Sequence, residues 1–166
     1  MKVKLTKQDF QNTQLSWLCI QPMLLAVRGK DLTTKTEMYQ QLNEGQKGLY
    51  LFYSFHNHAK TIEEFYWFSS YYILEVQSWG GIISGVQYFK DIEMVDLLEQ
   101  MEELIIKRSK DMNKGQQVSP KDLETDKGLF NAVQAYLATY NELSGKTINR
   151  MNEWIIDHQE DFLEID

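Results

Sequence analysis

The chain of 166 residues has a single cysteine, two prolines and nine glycines. One cysteine excludes an internal disulfide and suits a reducing compartment. So few prolines and glycines disfavour β-sandwiches and β-barrels, which need many tight turns. No segment alternates between apolar and polar residues as a half-buried strand does. Apolar residues recur instead at the three-to-four-residue spacing of a helix. The sequence therefore predicts an all-α fold, a bundle of about seven or eight helices in one domain over residues 1–166.

Long hydrophobic runs are missing as well. The apolar segment at residues 15–27 contains Pro22, and it is shorter than the about 20 apolar residues that a membrane-spanning helix needs. Asp9 and a polar run at residues 11–14 precede it, which is not the pattern of a secretory signal. We therefore predict a soluble, cytoplasmic protein with no membrane partner.

Sequence signatures of catalysis are also absent. The chain has no glycine-rich phosphate loop, no G-x-S-x-G elbow and no C-x-x-C pair. Cys19 lies in the apolar run at residues 17–20, so we expect its thiol to be buried and unreactive. The sequence makes no positive case for an enzyme, and it predicts no cofactor.

The net charge of −7 is unevenly distributed along the chain. Residues 1–90 carry nine Lys and Arg against seven Asp and Glu, whereas residues 91–166 carry eight against 17. Binding to nucleic acid depends on neutralising phosphates, so the acidic half argues against a nucleic-acid partner. An acidic surface promotes solubility, and it also suits a protein partner with a basic surface.

Aromatic residues concentrate at residues 50–89. Within this block, Thr61 and Glu64 have the spacing of a capping box, which predicts a helix that begins near Ile62. This helix is apolar nearly all round, as centrally buried helices are, and we predict that Gly80 ends it in the left-handed conformation. We interpret the block mainly as core. One alternative is a helix face left for a partner or a second copy of the chain; a base-stacking platform fits less well because acids outnumber bases there.

The surface predicted for a partner combines aromatic and acidic side chains. The acids belong to an amphipathic helix predicted over residues 91–108, which Asp91 caps and two basic residues close. Through this surface we expect contact with a basic protein partner, and we also expect a homodimer. The predicted surface residues are Tyr66, Trp67, Tyr71, Glu99, Glu102 and Glu103.

Three further features bear on the architecture. Gly81 and Gly85 lie four residues apart, and we predict that they let two helices of the core approach closely. Residues 109–118 are polar and are predicted to form a flexible loop. Gly145 is predicted to end one helix, and a last helix to begin at Thr147.

The only histidine cluster in the sequence is His56 and His58. Two residues apart on a helix, their side chains lie about 200° apart, so they could meet one metal ion only where the helix has ended. Helical bundles hold metals with His and Glu side chains, which makes Glu64 a candidate third ligand, with Glu63 and His158 as others. The alternative interpretation is a polar helix end, where histidine suits the helix dipole.

Part of the chain resembles a known family. The motifs are a leading Gly-Leu-Tyr, a Phe-x-x-Phe that opens the next helix and a later Leu-Leu-Glu, at residues 48–50, 65–68 and 97–99. Over residues 42–104 this pattern is similar to the DMP19-like (DUF4375) family of small α-helical proteins, which includes a DNA-mimic protein. The resemblance implies an acidic, dimeric helical protein that binds a protein partner, and it transfers no functional residue.

Two functions from different classes follow from these observations. The first is a protein-interaction or regulatory protein, for example an immunity-type inhibitor of a basic partner, and it rests on the aromatic surplus and the acidic second half. The second is a metal-dependent enzyme of helical-bundle type that uses His56, His58 and a nearby glutamate.

Overall fold

The computed structural model describes residues 1–6, 8–112 and 117–164. Within them the chain forms nine α-helices and no β-strand, so the predicted all-α fold is confirmed. Seven of these helices have nine or more residues, and none of the nine is long and apolar enough to cross a membrane. The helices are α1 (Leu15–Ala26), α2 (Leu32–Gln40), α3 (Glu44–His56), α4 (Ile62–Ser70), α5 (Trp79–Tyr88), α6 (Ile92–Asp111), α7 (Asp122–Thr125), α8 (Lys127–Asp157) and α9 (Gln159–Phe162).

Side-chain caps begin several helices, and those at Thr61 and Asp91 lie where the sequence predicts them. Asp31 caps α2 and Asp91 caps α6, each by accepting a hydrogen bond from a backbone N–H three residues later. The capping box of α4 is complete, because the Thr61 hydroxyl accepts from the Glu64 N–H at 3.2 Å and the Glu64 carboxylate accepts from the Thr61 N–H at 3.3 Å. These local bonds satisfy N–H groups that have no partner within the helix.

The central helix of the bundle is α3, which packs against α1, α5 and α9. The rings of Phe55 contact those of Phe65, Trp79 and Tyr140, which come from three other helices. The sequence assigns the central position to the helix that begins at Ile62, whereas α4 leaves one side partly open to solvent. The buried side chains of α3 are Gln46, Leu49, Tyr50, Phe52, Tyr53 and Phe55.

Two glycines meet where α3 and α5 cross. A Cβ added to Gly85 would lie 2.5 Å from the Gly48 Cα, and a Cβ added to Gly48 would lie 3.0 Å from the Gly85 Cα. A Cβ at Gly81, one turn earlier in α5, would lie 2.6 Å from Leu51 Cδ1. Because no side chain fits in these gaps, the two helix backbones touch. The predicted close approach at Gly81 and Gly85 is confirmed.

The end of α4 differs from the prediction. After its last turn the chain continues as a π-helical turn over Tyr71–Glu75, and Gln77 then adopts the left-handed conformation with a φ of 55°. The prediction of Gly80 for that role is wrong, since Gly80 lies in the first turn of α5. Glycine is the usual left-handed residue, but here a hydrogen bond from the Ser78 N–H to the Tyr72 carbonyl (3.0 Å) spans Gln77 and holds it in place.

The longest helix, α8, is continuous over 31 residues. The prediction that Gly145 ends a helix and that another begins at Thr147 is therefore wrong. A Cβ at Gly145 would meet nothing within 4 Å, so this glycine lies on the open side of the helix. Leu143 and Thr147 are buried on the other side, and their packing outweighs the about 1 kcal/mol by which a glycine weakens a helix.

The predicted flexible loop at residues 109–118 is helical at its start. Residues 109–111 form the last turn of α6, which ends at Asp111. Arg108 and Lys110 belong to the last turn of α6, where their positive charges suit the negative end of the helix dipole. The polar composition of this segment therefore does not end the helix. Residues 113–116 of the predicted loop lie outside the described residues.

We expect Gly85→Ala to lower the free energy of unfolding by about 2 kcal/mol or more, because its methyl group would overlap backbone atoms of Gly48 that cannot rotate away. Gly145→Ala is the matched control. It adds the same methyl group over open space, and it should raise stability by about 0.5–1 kcal/mol through helix propensity. Urea unfolding followed by circular dichroism measures both values, and equal stabilities of the two variants would contradict the glycine crossing.

Candidate functional site

His56, the last residue of α3, is held in a largely buried aromatic environment. Its Nδ1 lies 2.9 Å from the Tyr140 hydroxyl, and its ring stacks on Phe52 with centroids 5.3 Å apart and an angle of 11° between the planes. Burial, together with a smaller contribution from the nearby Lys60 cation, lowers the pKa of His56 from 6.5 to about 4. The imidazole is therefore neutral at physiological pH, and one of its nitrogens is engaged by Tyr140.

The other two predicted metal ligands have different environments. The His58 ring stacks on Phe68, with centroids 4.4 Å apart. The Glu64 carboxylate accepts hydrogen bonds from the backbone N–H groups of Lys60 and Thr61 at the start of α4. Across the described ranges, no three His, Cys, Asp or Glu side chains form a group that could hold a metal ion. Geometry gives the predicted metal site no support.

The single thiol agrees with the sequence expectation. Cys19 is 1% exposed in the core face of α1, and burial raises its pKa to about 12. Because the thiolate is the nucleophilic form, this thiol is unreactive at neutral pH.

The outer face of α6 is acidic. Asp96, Glu99 and Glu103 are exposed, and Glu102 beside them is half-buried. Their spacing of three to four residues puts them on one side of the helix. None of the four forms an ion pair with another described residue. Their negative charges are therefore available to attract a cationic group of a binding partner.

A pair of stacked rings lies near the end of α6. Trp67 and Tyr71 stack with centroids 5.4 Å apart and an angle of 9°, and Trp67 is 37% exposed. Both rings line a shallow cavity of about 150 Å³ together with Ser109 of α6. Ser109 lies two helical turns after Glu102 on the same side of α6. Glu102 therefore lies on the same flank of α6 as the two rings, and Glu99 and Glu103 lie on the neighbouring outer face. We refer to Trp67, Tyr71, Glu99, Glu102 and Glu103 together as the α6 surface.

Tyr66, the sixth predicted residue, does not belong to this surface. It is fully buried, and its hydroxyl donates to Asp122 Oδ2 at 3.0 Å. Arg108 lies beside the same carboxylate, with 3.8 Å from Nη2 to Asp122 Oδ1, and it donates from Nη1 to Asp126 at 3.2 Å. Tyr66 thus ties α4 to the Arg108 ion pairs that join α6 to α7 and α8. The sequence places Tyr66 in an aromatic run and gives no sign that Asp122 accepts its hydrogen bond.

A groove lies along α3 between α1, α2 and the π-helical turn, and no sequence motif predicts it. It consists of two cavities of about 410 and 650 Å³, and both volumes are in the range of small-molecule sites. The two cavities share the side chains of Lys35, Tyr50, Ser54 and Tyr72. We refer to these cavities together as the α3 groove.

The backbone around the α3 groove is irregular. The π-helical turn provides Tyr71 and Tyr72, and Gln77 with its left-handed φ lines the smaller cavity. Such irregularities cost energy, and they are frequent at functional sites. The opposite wall is α2, which has no buried residue. The smaller cavity therefore lies between an irregular backbone segment, the π-helical turn and Gln77, and the helix α2, which has no buried residue.

Tyrosine hydroxyls converge at the wall that the two cavities share. Burial raises the pKa of Tyr50, and it raises the pKa of Tyr72 to about 12. The nearby hydroxyls of Tyr71 and Tyr50 contribute to the shift of Tyr72, and a hydrogen bond with Ser54 opposes it. The phenols of Tyr50 and Tyr72 consequently stay protonated at neutral pH and can donate hydrogen bonds. In the sequence, the only signal for this cluster is the recurrence of tyrosine within the aromatic block.

Comparisons of this chain with known protein families, with curated proteins and with solved structures find no match.

The environment of His56 predicts a pH dependence of stability. Its pKa is near 4 in the folded protein and near 6.5 when unfolded, so the unfolded state binds the proton more readily. The stabilisation is complete above about pH 6.5 and is lost as the pH falls towards 4, by up to about 3 kcal/mol. His56→Gln should flatten this part of the stability profile measured by urea unfolding. His58→Gln is the control, and a wild-type slope in His56→Gln would contradict the assignment.

Proposed function

We propose that the protein is a small cytoplasmic helical protein that acts by binding a protein partner with a basic surface. The observation that carries the proposal is the α6 surface, where exposed carboxylates on the outer face of α6 are followed, beside Ser109 of the same helix, by a stacked pair of aromatic rings. The single buried cysteine agrees with a reducing compartment. Regulation of the partner, as by an immunity-type inhibitor, is the concrete form that we propose.

Both components of the α6 surface suit such a partner. Tryptophan and tyrosine are enriched among the residues that dominate binding energy at interfaces. An arginine of the partner can lie over the face of Trp67, and the carboxylates of Glu99 and Glu103 can pair with neighbouring cations. Acidic residues around such an anchor also speed association with a basic protein. The surface therefore supports both an anchor and electrostatic steering.

A homodimer is part of the same proposal. Ile92 is 72% exposed and Ile156 is 42% exposed, and large apolar side chains in solvent are candidates for contact with a second copy. The DMP19-like resemblance implies the same assembly and a protein partner, and membership of that family stays a prediction.

Charge reversal tests the partner proposal. We expect the immobilised protein to capture a basic protein from a lysate of its source cells, and we expect Glu99→Lys with Glu103→Lys to reduce capture at least about tenfold, since like charges now face each other. Trp67→Ala should reduce it as well. The matched control is Glu37→Lys with Glu153→Lys, which makes the same change of net charge at two exposed positions elsewhere. Equal losses in both double variants, or none in either, would contradict the α6 surface.

Native mass spectrometry of the untagged protein tests self-association. We expect a dimer whose fraction falls in Ile92→Asp, because a carboxylate in an apolar contact carries a desolvation cost. Thr33→Asp, at an exposed position of α2, is the control. A monomer at all concentrations would contradict the homodimer, and the same spectra report whether a stoichiometric metal is bound.

A further inference from the structure

The charge of the α3 groove is opposite to that of the whole chain. The cationic side chains of Arg28 and Lys35 line it, whereas no Asp or Glu is among the described residues that line either cavity. Two acids lie near the groove without lining it: Asp31, which caps α2, is close enough to Lys35 for their charges to interact, and Glu44, near Tyr39, is paired with Lys47 at 2.7 Å. In a protein with a net charge of −7, the described lining of this groove thus carries two cations and no carboxylate.

Hydrogen-bond donors surround the position that an anion would take. Lys35 lines both cavities, as do Tyr50, Ser54 and Tyr72. The ammonium group supplies a charge, and protonated phenols supply donors that do not compete for it. An oxyanion bound here would therefore accept hydrogen bonds from several directions at the wall that the cavities share.

The smaller cavity continues from this wall into an apolar space. Leu51, Val76 and Gly81 line it together with the faces of the tyrosine rings. Gly81 has no side chain, and the Leu51 tip occupies the space where its Cβ would be, so this end of the cavity is shaped by close packing. A flat apolar body attached to the anion fits there, since aromatic faces stack on one another.

We propose that the α3 groove binds a small organic anion, an aromatic body that carries a carboxylate or a phosphate. The oxyanion lies between Lys35 and the hydroxyls of Tyr50, Ser54 and Tyr72. The aromatic body occupies the smaller cavity. This site shares only Tyr71 with the α6 surface, and it adds a small-molecule ligand to a protein that we propose to act on a protein partner.

The helix that covers the groove responds to the ligand. Lys35, Thr36 and Tyr39 of α2 line the smaller cavity, and α2 has no residue of its own in the core. A helix with so little burial opens locally at low cost. A ligand held by Lys35 stabilises α2 in the closed position, which slows hydrogen exchange of its backbone amides.

Calorimetric titration of the full chain with 2-naphthoate, 2-naphthyl phosphate and the neutral 2-naphthamide tests the proposal. We expect saturable binding of at least one of the two anions, and weaker binding of the amide by about tenfold or more, the usual contribution of a charge-assisted contact. Binding of only one anion identifies the headgroup as carboxylate or phosphate. Hydrogen exchange with the bound anion should show protection of residues 32–40.

Two variants and one control locate the site. Lys35→Glu should weaken anion binding by about tenfold or more, and Tyr72→Phe should weaken it by about threefold while preserving the ring. Lys30→Glu makes the same charge change as Lys35→Glu at a nearby exposed residue that does not line the groove, and it should bind as the wild type does. Absence of saturable anion binding at millimolar concentrations, equal binding of the amide, or equal losses in Lys30→Glu and Lys35→Glu would overturn the proposal.

Discussion

The rest of the structure depends on the contact between the backbones of α3 and α5 at Gly48 and Gly85. Because neither residue has a side chain, the two helices approach more closely than ordinary packing allows. Their closeness brings the first turn of α5 against Leu51, and it lets Trp79 reach Phe55 in the middle of the core. The same first turn forms the end wall of the smaller cavity. One backbone contact thus positions both the aromatic core and the α3 groove.

Buried polar groups fix how the outer helices attach to this centre. Asn152 of α8 accepts from the Ser16 N–H at 2.8 Å and donates to the Thr13 carbonyl at 2.8 Å, so it holds the start of α1. The Ser16 and Tyr53 hydroxyls lie 2.8 Å apart and continue this network into α3. His56 with Tyr140 is a second link between α3 and α8. A buried polar group without a partner is costly, so such pairs favour one arrangement of helices over others.

Charge divides the molecule into two environments with different binding properties. The carboxylates of the α6 surface face solvent on a rigid helix, where they can attract a basic macromolecule but cannot enclose a small one. The α3 groove holds cations and phenol hydroxyls in a concave space, where a small anion can be surrounded and desolvated. The acidic remainder of the protein would keep polyanions away from the groove, so a compact anion suits it better than a nucleic acid.

The sequence by itself determined the features that depend on near neighbours along the chain. The all-α class, the capping box at Thr61 and the cap at Asp91 follow from helical spacing and from hydrogen bonds that span three residues. The glycine spacing at Gly81 and Gly85 also indicated close packing, although its partner Gly48 could not be named. Local rules misplaced the left-handed turn at Gln77 and the supposed break at Gly145.

Only the tertiary structure decided which side chains meet. It buried Tyr66 against Asp122, gave His56 a tyrosine partner, and kept α8 continuous because the packing of its other side outweighs one glycine. It also assembled Lys35, Tyr50 and Tyr72 into one wall, although they come from three separate elements. A sequence pattern reports which residues share one face of a single helix. Burial and charge at a site depend on side chains from several helices, so they are determined only when the helices pack together.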